Sequence, residues 1–69
     1  MSENKQEICD LLLKALQATR NAYDLVSLEY IKDAEMVVGT FKSGGKKKIN
    51  VGMDSGFTMI CDIVNHLDI

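Results

Sequence analysis

The sequence is poor in the residues that make metal, redox and catalytic chemistry. It has two cysteines, Cys9 and Cys61, and one histidine, His66. Two cysteines are too few for the disulfide framework of a small secreted domain, and in a reducing compartment they serve as small core residues. A lone histidine with no cysteine on its own helical face cannot build a tetrahedral metal site. Cys61 precedes His66 by five residues, which turns the two to opposite sides of a helix. A Cys9–His66 pair across the fold stays geometrically open. No apolar run approaches the ~18 residues of a membrane span, and MSENKQE is polar and acidic, unlike a secretory signal. The expectation is a cytoplasmic chain with no cofactor, no metal and no membrane partner.

An excess of one charge is missing too. Eight basic and ten acidic side chains leave a net charge of −2. That balance argues against a general nucleic-acid coat and leaves room for a local basic patch. The carboxylates are scattered, and no two share a face in an apolar setting, so the sequence offers no general acid–base pair. The chain is not expected to be an enzyme.

What is present is a folded composition, 46% hydrophobic and 26% charged. Residues 1–69 make a single domain. A chain this short buries only about 60% of the surface that its unfolded form exposes. Disulfides, metals or oligomerisation are the usual remedies, and the first two are unsupported here.

From about Glu3 to Tyr23 the apolar residues recur at helical spacing. Ile8, Leu11, Leu12, Ala15, Leu16, Ala18, Ala22 and Tyr23 form one side, and Glu7, Asp10, Lys14, Gln17 and Asn21 the other. Asn4 to Glu7 has the spacing of a capping box, with Ser2 as a competing cap. Leu13 projects from the polar half. The period then changes to two. Leu25–Ile31 alternates, with Val26, Leu28 and Tyr30 on one face. A turn at Lys32 and Asp33 leads to a second strand over Ala34–Phe41, and a third follows over Lys46–Met53. Lys42 to Gly45 supply a tight hairpin, with Gly44 and Gly45 free to take positive φ. Asp54 or Ser55 can cap a last helix from about Gly56 to Leu67.

That last helix is unusually apolar. Phe57, Ile60, Cys61, Val64 and Leu67 read as its core stripe, and Met59 and Ile63 widen it to an arc of about 200°, twice what packing on one sheet needs. The excess predicts a second copy of the chain as partner, with Leu13, Met59 and Ile63 at the interface of a homodimer. The expected fold is α+β, with order α-β-β-β-α: a three-stranded antiparallel meander with both helices packed on one face.

The basic hairpin FKSGGKKKIN is the other candidate surface. Gly39 to Gly44 resembles the start of a P-loop, but Gly45 stands where the lysine must be and a strand follows where a helix is needed. Lys42, Lys46, Lys47 and Lys48 therefore read either as charges that keep an exposed strand from pairing with neighbours or as a grip on an anionic partner. Asp54, Ser55 and Gly56 read as a helix cap and not as an anion site, because Asp54 would repel a phosphate.

The order α-β-β-β-α over the whole chain resembles the double-stranded-RNA-binding domain. The residues with which that family reads RNA do not match. The last helix begins DSGFTMICD without a lysine, and the first strand connection is only IKDAE; Lys14, Gln17 and Arg20 are the nearest counterparts of the family's helix-one surface. NAYDLVSLEY and KKKINVGMDSGFTMICDIVNHL resemble small uncharacterised proteins carried by phages and mobile elements of Gram-positive bacteria. That resemblance implies an accessory or inhibitor that occupies a host protein partner. The reading is a small non-enzymatic, homo-oligomeric binding protein. Its binding surface is expected at the basic hairpin or on the outer sheet face, with Val37 and Phe41 beside Lys46 and Lys48. RNA or DNA binding through the lysine hairpin is the alternative.

Overall fold

The computed structural model describes residues 4–53 and 55–67. Asp54 as a helix cap, and a helix start at Ser2 or Glu3, lie outside the described residues. Helix α1 spans Lys5–Gln17. Its cap is Asn4, whose side chain accepts the Glu7 N–H at 3.0 Å and so satisfies one of the donors a helix start leaves open. The helix stops well short of Tyr23, and Thr19 supplies the reason. Its hydroxyl donates to the Leu16 carbonyl at 2.6 Å and accepts the Ala22 N–H at 3.2 Å, giving the backbone local partners in place of the helical ladder. The turn buries Ala22 and leaves Tyr23, expected on the apolar side, 67% exposed.

Strands β1 (Leu25–Ile31), β2 (Met36–Phe41) and β3 (Lys46–Asn50) and helix α2 (Gly56–His66) complete the order α-β-β-β-α. The strands form an antiparallel meander in the order β1-β2-β3. Cys9 and Leu16 of α1 share one core with Leu25, Leu28, Val37, Ile49 and Val51 of the sheet side and with Met59, Ile63 and Leu67. Both helices therefore cover the same sheet face, as the sequence predicts. The other face carries Met36, Val38 and Thr40, half-buried, beside exposed Lys46 and Lys48.

The strands depart from simple alternation in two places. A bulge between Leu25 and Ser27 turns both Leu25 and Leu28 inward and pushes Val26 out, 49% exposed. The β1–β2 connection is longer than two residues: Glu35 N–H closes on the Lys32 carbonyl at 3.3 Å, and Glu35 takes φ 51°. Its carbonyl then accepts Val51 N–H at 3.0 Å. So β2 begins at Met36, and β3 ends at Asn50 instead of reaching Met53.

Gly39 marks a close approach in the middle strand. A Cβ there would stand 3.1 Å from Leu67 Cδ2 and 3.4 Å from Leu28 Cδ2, so the glycine admits the C-terminal end of α2 onto the sheet. At the opposite end Lys5 Nζ donates to the Val51 carbonyl at 3.3 Å and lies 5.6 Å from the Tyr30 ring centroid, tying the first turn of α1 to the strands.

The two outer strands end differently. Along β1, Gln6 Oε1 accepts the Tyr30 N–H at 2.8 Å while its Nε2 donates to the Leu28 carbonyl at 3.4 Å. Gln17 Nε2 donates to the Leu25 carbonyl at 2.8 Å. Two glutamines of α1 thus take up backbone groups that an edge strand normally leaves open.

Candidate functional site

Helix α2 sits on the sheet in a different rotation from the one its sequence suggests. Met59 and Ile63 are fully buried, with Leu67 and Gly56 on the same side. The expectation that Met59 and Ile63 meet a partner is corrected: they could do so only if the core opened. Leu13, expected to stand out from the polar half of α1, packs half-buried against the core. The physical cause is the Met59–Ile63–Leu67 ridge, spaced four apart, which lies against the sheet where Gly39 makes room for Leu67.

This rotation leaves the other apolar stripe outside. Phe57 is 79% exposed, Cys61 is exposed, and Ile60 and Val64 are half-buried. All four were expected to face the sheet. A 200° arc contains two possible core stripes, and periodicity alone does not choose between them. Beside Val64 an open cavity of about 300 Å³ is lined by Leu16, Thr19 and Asn21, where the end of α1 meets α2.

The two cysteines differ in the same way. Cys9 is buried, and both thiols are free. Burial, reinforced by the nearby Asp10 carboxylate, pushes the Cys9 thiol up from 9.0 to about 11, so at neutral pH it is an inert core group. Cys61, expected on the inner side of its helix, is exposed. His66 Nδ1 lies 2.8 Å from the Asp62 carbonyl one turn back. Among the described residues no group of three or more His, Cys, Asp and Glu side chains could hold a metal ion.

The basic hairpin is built as a tight loop. Phe41 N–H donates to the Gly45 carbonyl and Gly44 N–H to the Phe41 carbonyl, both at 2.9 Å. Lys42 N–H donates to the Asp24 carbonyl at 2.9 Å, which pins the loop to the α1–β1 connection. Lys42, Lys46, Lys47 and Lys48 are all exposed, yet they are not one cluster. Lys46 pairs with Thr40 and Lys48 with Val38 on the bare face, while Lys47 pairs with Gly39 on the helix-covered side. Val37 is fully buried and Phe41 packs against the core, so neither stands beside Lys46 and Lys48 as expected. Their outer-face neighbours are Val38 and Thr40. None of the described helices is long and apolar enough to cross a membrane. Comparison with family models, with curated proteins and with solved structures finds no significant match.

Proposed function

We propose that this chain is a small non-enzymatic binding module that works as a homodimer, joined through the outer stripe of α2. The observation that carries this reading is the exposure of Phe57 in a stripe whose spacing is its own mirror. Phe57, Ile60, Cys61 and Val64 are separated by three, one and three residues. A two-fold axis between Ile60 and Cys61 therefore sets Phe57 of one copy opposite the partner's Val64 in an antiparallel helix pair. The aromatic ring enters the cavity that Val64 shares with Leu16 and Thr19, the arrangement of an anchor in a pocket that dominates interface energetics. It also meets the need of a domain too short to bury much surface alone.

Sedimentation velocity at micromolar concentration tests this. Wild type should run as a dimer and Phe57→Asp as a folded monomer. A short bis-maleimide should join Cys61 to the partner's Cys61, which the axis places side by side. A wild-type monomer, or a dimer untouched by Phe57→Asp, would sink the proposal. The second reading, nucleic-acid binding, draws on the exposure of all four hairpin lysines. It predicts an affinity whose logarithm falls with log salt by close to one unit per phosphate contact.

A further inference from the structure

The two edges of the sheet are treated in opposite ways. Gln6 and Gln17 occupy the outward backbone groups of β1 at Tyr30, Leu28 and Leu25. On the other side, Gly45 carbonyl to Phe41 N–H and Val51 N–H to Glu35 carbonyl fix the phase of the β2–β3 ladder. Hydrogen-bonded residues alternate in an antiparallel pair. Residues 45, 47, 49 and 51 thus turn their backbone groups toward β2, and Lys46, Lys48 and Asn50 turn theirs outward. Among the described residues no side chain meets the outward groups of Lys46 and Lys48 as the glutamines meet those of β1.

We propose that this free edge of β3 takes an extended acidic segment of a partner protein as a fourth strand. Main-chain hydrogen bonds to Lys46, Lys48 and Asn50 supply the docking, the mode by which sheet edges capture peptides. The lysines decide which segment enters. A second copy of β3 would bring lysines opposite lysines, and like charges directly across a strand pair are destabilising. A segment with Asp or Glu at alternate positions places its carboxylates opposite Lys46 and Lys48 on the bare face. The guard against self-pairing is thereby a filter for acidic strands. Nucleic acid offers negative charge and acceptor oxygens but no row of N–H donors for the outward carbonyls of the edge.

This names the partner class of the binding module, and it stands apart from the dimer because the α2 stripe and the β3 edge share no residue. The probe is an acetylated peptide of alternating glutamate and valine, titrated into amide-labelled full-length protein. The expected result is shifts and exchange protection at the Lys46, Lys48 and Asn50 amides, equally in wild type and in Phe57→Asp. Methylating alternate peptide nitrogens keeps the charge and removes the donors, and should cut affinity by roughly ten-fold or more. Lys46→Glu/Lys48→Glu, at exposed positions, should exchange the preference for a lysine–valine peptide. Binding that survives N-methylation, shifts that map elsewhere, or a nucleic-acid oligomer protecting the same amides more strongly would each overturn the proposal.

Discussion

At Gly44 the backbone takes φ 91°, a region that side-chain-bearing residues rarely adopt, whereas Gly45 next to it does not. A Cβ on Gly45 would make only ordinary contact with Ser43 Oγ at 3.6 Å. Sequence alone presents the two glycines as equivalent sources of positive φ; the loop geometry separates them. Gly44→Val should cost about 1–3 kcal/mol, which lowers the melting temperature by roughly 4–8 °C for each kcal/mol in a domain of this size. Gly45→Ala should melt within a degree or two of wild type by the same conversion. Equal melts for the two variants would refute the loop assignment. Cys9 gives a pH test. Its thiol is neutral in the folded protein up to about 11, against 9.0 for an unperturbed thiol. Above the lower value the unfolded chain loses a proton that the folded chain keeps, so stability falls as pH rises from 9.0 toward about 11. Below that window Cys9 contributes fully. The stability advantage of wild type over Cys9→Ala should therefore shrink through that range and stay constant below it, measured by denaturant midpoints.

Among the elements, α2 shows best what a sequence carries and what it leaves open. Its existence, limits and excess of apolar surface are all legible from Phe57 to Leu67. Its rotation is not. Two apolar stripes compete, and the one that faces the sheet sets Leu67 against Gly39, a residue of β2 whose missing Cβ leaves room for it. The same holds for β1, where a bulge after Leu25 brings Leu25 inward in place of Val26, and for α1, which Thr19 ends by hydrogen bonds that compete with the helix. Order and strand pairing follow from periods and turns, which are local. Rotation and bulges follow from packing between distant segments, which a single sequence does not display. The rotation reverses a mutational expectation. Ile63→Asp, which an outward Ile63 would tolerate while the dimer fell apart, instead buries a carboxylate in the core. A loss of several kcal/mol exceeds much of the ~5 kcal/mol such a domain holds, so this variant should be unfolded by circular dichroism. Phe57→Asp should keep native ellipticity.

At the scale of the molecule, the described residues cover one sheet face and leave the other bare, around a core that draws on all five elements. The lysine hairpin was visible in the sequence as a candidate surface, but its division into two faces was not, because that rests on the register of Lys46, Lys47 and Lys48 against β2. The glutamines along β1 were equally hidden, since Gln6 and Gln17 read as polar helix positions until α1 is laid beside the strand. Their role can be measured. Gln6→Ala/Gln17→Ala removes the acceptor at Tyr30 and the donors at Leu28 and Leu25, and should raise the concentration-dependent aggregation rate, read by light scattering, while secondary structure is retained. An unchanged rate would mean that the edge is protected by something other than these amides.

That asymmetry of edges sets a valence. A sheet open on both sides is a link in a chain, able to take a strand and offer one in turn, and its assemblies have no natural end. With one side stopped by glutamine, the described residues of each copy leave one edge, β3, for the proposed strand. A two-fold pair then holds two such edges, and it is full when both are taken. If the proposed dimer and the proposed strand capture both hold, the stoichiometry closes at two segments per dimer, and growth into a fibre has nowhere to continue.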